Sequence, residues 1–238
     1  MKTPLFLSTC LLLASCNTPS TKTLTLPEGL STIDATAPIA CQFEKKLTGS
    51  DKPQSTSWYF WRENQRTESR DEVSNQGEIW ERNKNGQVSY TRLFYKDRIA
   101  LESTPGDLAA AQNAIPWEQL TSLIDTGKLG KELILKSKDS INKTTIEYYE
   151  GSINGVTTEV AWLPAIKLPA RIVKKRPDQS YTLTLAKCGN QAKQALPQIS
   201  QFELENFRHL DYTDLGDMEN DPTVRHIQQL IGGHQQHG

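Results

Sequence analysis

The chain has 238 residues, enough for one or two domains whose hydrophobic core needs neither metals nor dense disulfides. Hydrophobic residues make up 36% and charged residues 23%, which excludes a membrane protein with several spans and disfavours a disordered chain. The 27 Lys and Arg residues are balanced by 28 Asp and Glu residues. Because no overall positive charge attracts phosphates, we expect no nucleic-acid partner.

Residues 1–15 have the layout of a secretory signal peptide. Lys2 precedes an apolar stretch from Leu5 to Ala14 that is too short to span a bilayer. The stretch ends in Leu13-Ala14-Ser15-Cys16, which resembles the bacterial lipobox, where the cysteine becomes the acylated N-terminus of the mature protein. The resemblance implies a lipoprotein with a diacylglycerol on Cys16 and a further acyl chain, such as palmitate, on the new amine.

The lipid would attach the protein to the cell envelope, because each buried CH₂ group contributes about 0.8 kcal/mol. Asn17 stands where the commonest inner-membrane retention signal of lipoproteins is Asp, which favours the outer membrane, facing the periplasm. Residues 16–37 are rich in Ser, Thr and Pro with little apolar periodicity. This composition predicts a flexible tether between the lipid and the folded domain.

Cys41 and Cys188 are the thiols left after signal cleavage and acylation of Cys16. In an oxidising periplasm two cysteines suffice for one disulfide, which we predict between them. The chain-entropy model gives such a long-range crosslink about 4 to 5 kcal/mol of stabilisation. A reactive thiol is the alternative, although neither cysteine lies in a CxxC motif or beside a His in sequence.

From about residue 38 short runs of aromatic and β-branched residues alternate with polar turn clusters, which predicts an antiparallel β-meander. Asn85-Gly86 marks a type I′ hairpin turn. Between Pro105 and Gly130, apolar residues from Trp117 to Ile124 recur at helical spacing, which predicts two short helices. Strands then return in the runs KELILKS, KTTIEYYEG, TTEVAWLP, ARIVKKR and SYTLTLAKC.

We therefore predict an α+β fold, a curved antiparallel half-barrel of about eleven strands with short covering helices, over residues 38–188. Residues 189–238 differ in composition, being rich in Gln and Asn and then acidic, with a short helix predicted at TVRHIQQLI. We interpret them as an appended C-terminal arm.

Several features of the half-barrel form a loose pattern: the strands WYFWRENQR and GEIWER, the mid-chain helices, and GVTTEVAWLPAIKLP followed by ARIVKK. In this order they resemble the periplasmic lipoprotein carrier and receptor superfamily of the Lol type. The resemblance covers about Ile39 to Cys188 and implies an open half-barrel whose apolar cavity takes acyl chains. The membrane-inserting Leu loop of the anchored receptor has no secure counterpart, and residues 189–238 lie outside the pattern.

Aromatic side chains are the candidate ligand-binding groups. Trp58 to Trp61 are four consecutive aromatic residues, so successive members point to opposite faces of a strand and one pair faces solvent, a cavity or a covering helix. They either line an apolar pocket for a lipid tail or form an ordinary core. The candidate ligand-binding residues are Trp58, Phe60, Trp80, Phe94, Trp117 and Trp162.

Histidines concentrate near the C-terminus, beside several carboxylates. Imidazole and carboxylate groups bind zinc or copper, so His226, His234 and His237 are candidate metal ligands. Their spacing matches no rigid metal motif, and a solvated terminus is the alternative. We predict no resident cofactor.

The chain contains none of the motifs GxSxG, SxxK, P-loop, GxGxxG or HExxH, so we expect no enzyme. We expect instead a lipid-anchored envelope protein that binds or shuttles a lipid, a lipoprotein or another hydrophobic ligand in its half-barrel. The alternative is a structural or interaction lipoprotein that acts through its acidic C-terminal arm, with or without a metal. The sequence identifies no protein partner.

Overall fold

The structure is a computed structural model that describes residues 24–49, 54–112, 115–190, 196–218 and 220–235. These described residues form one twelve-stranded sheet accompanied by short helices. The predicted α+β class, a curved antiparallel half-barrel with covering helices, is confirmed. Eleven of the described strands precede the C-terminal arm, as expected, and the twelfth belongs to the arm itself.

The elements follow the predicted order. The first strands are β1 (Ile39–Thr48), β2 (Gln54–Arg62), β3 (Arg66–Asp71), β4 (Gln76–Arg82), β5 (Val88–Phe94) and β6 (Ile99–Ser103). The mid-chain helices are α1 (Pro105–Ala110) and α2 (Trp117–Ser122). The later strands are β7 (Leu133–Ile141), β8 (Thr144–Ile153), β9 (Val156–Leu163), β10 (Leu168–Lys175) and β11 (Ser180–Asn190). The arm contributes α3 (Gln201–Glu205), β12 (Arg208–Asp211) and α4 (Pro222–Gln235).

Strand β1 lies in the middle of the sheet, between β2 and β11. On one side, β2 to β6 follow in chain order and β12 completes the edge; we call this the N-terminal half. On the other side, β11 to β7 run in reverse order and β7 forms the opposite edge; we call this the C-terminal half. Neighbouring strands are antiparallel, except that β12 is parallel to β6.

A disulfide joins the two halves at the middle of the sheet. Cys41 on β1 lies directly opposite Cys188 on β11, with their Cα atoms 4.1 Å apart and a sulfur–sulfur bond of 2.01 Å. The predicted disulfide is therefore confirmed, and neither cysteine is a free thiol. The bond links residues 147 positions apart in the sequence.

Local sequence signals account for the mid-chain helices and the hairpins. Thr104 caps α1, and its hydroxyl accepts a hydrogen bond from the Asp107 amide while the Asp107 carboxylate accepts one from the Thr104 amide. Leu123 adopts a left-handed conformation that ends α2. The type I′ turn predicted at Asn85-Gly86 is wrong: a hairpin joins β4 to β5 there, but Gly86 has positive φ and Asn85 does not, and the Gly86 amide donates to the Asn83 carbonyl at 3.0 Å. Asn154 and Gly155 both have positive φ in the tight turn between β8 and β9, as a type I′ hairpin requires.

The segment before β1 packs against the sheet. Leu26 and Leu30 are buried in the main core, the apolar cluster formed by β1, β2 and the C-terminal half. Residues 24–37, predicted as part of a flexible tether, therefore cover apolar surface instead. The exact domain boundaries stay a prediction, and residues 1–23, with the predicted signal peptide and Cys16, lie outside the described residues.

The register defines two faces of the N-terminal half. Cys41, Phe60 and their aligned neighbours point to one face, here called the first face, whereas Ala40 and Trp61 point to the second.

The C-terminal arm covers both faces. Ile199 packs on the second face in the cluster of Ile79, Leu93 and Ala100. Beyond β12, Val224 and Ile227 of α4 pack on the first face in the cluster of Phe94, Ile99 and Leu101.

Candidate functional site

Four of the six predicted ligand-binding residues share the first face. Trp58 and Phe60 lie on β2, Trp80 on β4 and Phe94 on β5, and the regular register of β2 to β5 gives all four side chains the same direction. Phe60 belongs to the main core and Phe94 to the α4 cluster, where both are buried. Only Trp58 and Trp80 are half-buried, so they are the two of the four that a ligand could reach.

The two half-buried tryptophans belong to separate aromatic groups. The Trp58 ring stacks on Phe60 at 5.8 Å between centroids and touches Phe43 at 5.7 Å. The Trp80 ring packs on Tyr90 of β5 at 4.3 Å. Trp80 lies two strands away from Trp58 across the sheet and four residues away along the strand direction. At ordinary strand spacings the two residues are about 16 Å apart.

The surface between the two aromatic groups is polar. Ser69, Glu78 and Arg92 lie opposite one another on β3, β4 and β5, on the first face. Tyr90 Oη donates to Glu78 Oε1 at 3.2 Å, and Arg92 Nη2 donates to Gln76 Oε1 at 2.8 Å. Burial raises the pKa of Tyr90, so this phenol keeps its proton and remains a donor. We call Ser69, Glu78 and Arg92, with Trp58 and Trp80 at the margins, the central patch.

Beside Trp58 the central patch is bordered by an ion pair. Lys45 of β1 contacts Asp71 of β3. Burial opposes the charged form of Asp71, but the hydrogen bond from Lys45 and the amide of Ser74 hold its pKa below the ordinary value. The patch therefore presents fixed charges of both signs between aromatic rings, an arrangement that can hold an amphipathic molecule by packing and hydrogen bonding.

The remaining two predicted residues lie elsewhere. Trp117 begins α2 and is half-buried. This helix is attached to the first face by Arg62, which donates to the Thr121 carbonyl at 3.0 Å and to the Ile166 carbonyl at 2.8 Å. Trp162 is buried in the main core. The six predicted residues therefore do not form one continuous lining.

Two of the pockets on the surface of the described residues are lined by none of the six. The first, about 250 Å³, lies between α3 and the second face, with Arg66, Glu102 and His209 in its wall. The second, about 290 Å³, lies beside Glu44 and Val73. Both are at or below the lower end of the volumes of small-molecule sites, about 300 to 1,000 Å³.

The predicted metal ligands are not brought together in the described part of the chain. His226 is exposed on α4, and the side chains of His234 and His237 lie outside the described residues. Among the described residues, no group of three His, Cys, Asp or Glu side chains could hold a metal ion. Metal binding at the C-terminus stays a prediction.

Sequence reasoning missed the residues that fasten the arm to the sheet. The buried Glu68 carboxylate accepts hydrogen bonds from the Ile199 amide at 3.1 Å and from Arg66 Nη2 at 3.1 Å. Burial raises the pKa of Glu68 despite these donors. Glu68 lies opposite Trp61 in the register of β2 and β3. A carboxylate beside a buried ring needs hydrogen-bond or ion-pair partners, and this position was the signal that could have identified Glu68.

His209 on β12 is a second fastening point. Its Nδ1 lies 2.6 Å from Glu102 Oε1 on β6, and its Nε2 lies 3.0 Å from the Leu204 carbonyl oxygen. Both partners are acceptors, so the doubly protonated imidazolium satisfies both. The hydrogen bond to Glu102 accordingly raises the pKa of His209. Arg208 adds an ion pair with Asp221 at 2.6 Å, which joins β12 to the start of α4.

No protein-family model matches the chain, and no curated protein matches it. Similar solved structures include PNGF-II, at 15% identity over 76% of this chain, with a TM-score of 0.44. A chain of the Pseudomonas aeruginosa MucA/MucB complex is similar at 9% identity over 71% of this chain and 56% of its own length, with a TM-score of 0.40. A LolA superfamily protein from Nitrosomonas europaea is similar at 9% identity over 68% of this chain and 88% of its own, with a TM-score of 0.32.

The similarity covers 33% of the length of PNGF-II, so the chain spans about a third of that protein. A member of the LolA superfamily, which the sequence resembles, is thus among the structural neighbours. At these TM-scores the likeness assigns neither an activity nor a ligand. Within the part of the chain that the structure describes, no helix has the length and apolar character needed to cross a membrane.

Proposed function

We propose that this chain is a non-catalytic, lipid-anchored protein of the cell envelope that holds an amphipathic ligand against the first face of its sheet. The proposal is carried by one observation: Trp58 and Trp80 are half-buried on the same face, on either side of polar side chains. Aromatic rings of this kind contribute large apolar contact areas to a bound molecule.

The polar centre of the patch narrows the class of ligand. A purely hydrocarbon ligand would remove Glu78 and Arg92 from water without satisfying them, which is unfavourable. A molecule with an apolar part and a charged or hydroxylated part would pack on the rings and keep hydrogen bonds at the centre. A lysophospholipid or a fatty acid with its carboxylate has this character.

The anchor and the location are proposed from the sequence. The lipobox residues Leu13 to Cys16 support acylation at Cys16 and exposure to the periplasm, with the outer membrane favoured by Asn17. The Cys41–Cys188 disulfide agrees with an oxidising compartment. The lack of a recognisable catalytic motif supports a binding role without covalent chemistry.

Native mass spectrometry on the full chain tests the proposal directly. The protein is expressed with Cys16→Ser, which removes the acylated thiol, and is purified without detergent. A copurified amphipathic lipid, released on denaturation and identified by its mass, is the expected result. Protein that is free of ligand, and that stays free after incubation with lysophosphatidylglycerol and with palmitate, would contradict the proposal.

Point variants locate the site. Trp58→Leu and Trp80→Leu should each weaken lysophosphatidylglycerol binding about tenfold, because a lost ring contact of about 1.5 kcal/mol corresponds to that factor. Phe202→Leu is the matched control, since this ring on α3 is 75% exposed and belongs to the arm, away from the central patch. Binding that neither tryptophan variant changes would place the ligand elsewhere and contradict the assignment.

A second candidate function is protein binding through the C-terminal arm. The supporting observation is that Phe202 and Tyr212 of the arm are exposed large side chains, at 75% and 44%. Deleting the arm would uncover two apolar clusters of the sheet, so loss of a partner after truncation would not separate folding from binding. Crosslinking in intact cells, compared between the natural chain and Phe202→Ala with Tyr212→Ala, is the cleaner test. A partner lost only in the double variant would support this function.

A further inference from the structure

Glu78 and Arg92 are opposite charges that do not pair with each other. They lie directly opposite on β4 and β5, where the Cβ atoms of facing residues are about 4.5 to 5.5 Å apart. Opposite charges in this position ordinarily interact and support the sheet. Among the described residues, however, neither Glu78 nor Arg92 has an ion-pair partner. Within this part of the chain, the central patch therefore keeps a carboxylate and a guanidinium side by side without neutralising either.

Hydrogen bonds orient the two side chains in opposite directions along the strands. Tyr90 Oη donates to Glu78 Oε1 at 3.2 Å. Arg92 Nη2 and Nε both donate to Gln76 Oε1, at 2.8 Å and 3.3 Å. Tyr90 and Gln76 lie on opposite sides of the facing residues Glu78 and Arg92, so the two charged ends are directed apart. Because both partners are uncharged, these hydrogen bonds hold the charges in place and leave them available.

The carboxylate end fits an ammonium group. Trp80 and Tyr90 lie opposite each other on the side toward which Glu78 is directed, and their ring centroids are 4.3 Å apart. Both rings are half-buried, whereas Glu78 is exposed. Aromatic faces attract cations, and a carboxylate beside them adds charge attraction. These three side chains supply the groups that bind an organic ammonium.

The guanidinium end fits a phosphate. Arg92 is half-buried, and its central carbon lies 5.4 Å from the centroid of the Phe94 ring. Gln76 uses only part of the N–H groups of the guanidinium. The remaining donors have the fork geometry that matches phosphate oxygens. A fatty-acid carboxylate would use this end alone and would lie beside the like charge of Glu78.

We propose that the central patch recognises a zwitterionic headgroup, whose phosphate binds Arg92 and whose ammonium group binds Glu78 beside the Trp80 ring. This inference rests on the proposed function and narrows it, since the amphipathic ligand becomes a lipid with phosphate and ammonium in one headgroup. An anionic lipid satisfies only Arg92, and a cationic amphiphile satisfies only Glu78. Because the two residues face each other in register, one small headgroup reaches both.

The test compares two lysophospholipids with the same lauroyl chain by isothermal titration calorimetry on the full chain carrying Cys16→Ser. Lysophosphatidylethanolamine has the ammonium group and lysophosphatidylglycerol lacks it; both are titrated below the concentrations at which they form micelles. We expect lysophosphatidylethanolamine to bind about fivefold more tightly, as for one exposed ion pair. Glycerophosphoethanolamine, the same headgroup without the chain, should bind at least about tenfold more weakly than the lipid.

Point variants assign the two charges. Glu78→Gln keeps an acceptor for Tyr90 and should bring the two lipid affinities to within about twofold of each other. Arg92→Gln should weaken both lipids about fivefold, because both carry phosphate. Glu150→Gln on β8 and Arg176→Gln in the turn after β10 are matched controls on exposed residues, and both should preserve the preference.

Equal affinity of the natural chain for the two lipids would overturn the headgroup assignment and leave the proposed amphipathic site in place. A preference that survives Glu78→Gln, or binding that Arg92→Gln does not weaken, would overturn it in the same way. Equal binding of glycerophosphoethanolamine and the lipid would show that a soluble headgroup, not a lipid, is recognised, and would also overturn the proposal. If neither lipid binds, the proposed function fails together with this inference.

Urea unfolding checks the separation of the two charges without any ligand. The changes in unfolding midpoint caused by Glu78→Gln and by Arg92→Gln should add in the double variant, because the two side chains do not interact directly in the free protein. The same curves show that each variant is folded. A combined change clearly smaller than the sum would show that Glu78 and Arg92 pair with each other, and would overturn the proposal.

Discussion

The two halves of the sheet obtain their apolar cover in different ways. The C-terminal half shares the main core with β1 and β2, and the short segment before β1 adds Leu26 and Leu30. The N-terminal half carries apolar residues on both faces, and both clusters are completed by the C-terminal arm. One half therefore builds its core mainly from successive hairpins, whereas the other depends on a segment that follows it by about a hundred residues in the chain.

This difference concerns stability as well as chain order. The arm is fastened to the sheet by a few polar contacts, chiefly those of Glu68 and His209. Weakening them should loosen the cover of the N-terminal half while the main core stays packed. The central patch lies in the N-terminal half, so the state of the arm also affects the proposed ligand site.

Removing the disulfide should have the largest effect, because it joins β1 to β11 at the junction of the two halves. For the double variant Cys41→Ser with Cys188→Ser, we expect the free energy of unfolding to fall by about 4 to 5 kcal/mol. Urea unfolding of the variant, and of the natural chain under reducing conditions, measures this loss. The two losses should agree. A fall below about 1 kcal/mol would mean that the crosslink adds little to the folded chain.

Ile227→Ala in α4 should have the next largest effect. This fully buried side chain packs in the first-face cluster, and its truncation should cost about 3 kcal/mol through lost burial and a cavity. Gln229→Ala, on the exposed side of the same helix, is the control and should change stability by less than about 0.5 kcal/mol. Hydrogen exchange should accelerate in β6 more than in β9. Equal acceleration in both strands would refute the separation of the halves.

Glu68→Ala should have an intermediate effect. It leaves the buried Ile199 amide without its acceptor, which should lower the free energy of unfolding by about 1 to 3 kcal/mol. Glu72→Ala, an exposed carboxylate at the end of the same strand, should be close to neutral. Proteolysis at the arm, followed by mass spectrometry, should be faster in the Glu68 variant alone. Unchanged cleavage would show that Glu68 does not hold the arm.

The smallest effect expected is a dependence of arm docking on pH through His209. The contact with Glu102 raises the folded-state pKa, so its stabilisation is complete below the unfolded-state value of about 6.5 and is lost as pH rises through the raised value. Urea unfolding at pH values on both sides of this range should show a loss for the natural chain that His209→Gln lacks. Identical pH profiles would exclude this contribution.

Much of the fold follows from local sequence patterns. The Asn-Gly pairs place hairpin turns, and Pro105 with Thr104 and Asp107 begins α1. The candidate site was predictable only in part. Alternation along VSYTRLF already puts Tyr90 and Arg92 on the face of Phe94, so the polar residues of the central patch could have been found. The sequence could not predict which of Trp58, Phe60 and Trp80 remains accessible to a ligand, because that depends on which segment of the chain covers each ring.

By itself, the sequence determined the strands, their turns and the cysteine pair. The two-residue alternation of side chains in strands, the residue types at turns and the number of cysteines can all be read directly from the sequence. Only the tertiary structure decided that Leu26 and Leu30, from the segment before β1, pack into the core and that the arm passes around one edge of the sheet. Those contacts join distant segments of ordinary polar composition, and their few buried residues, such as Leu30 and Ile199, form no periodic pattern. The sheet order likewise left β7 open, because the arm pairs with β6 at the opposite edge.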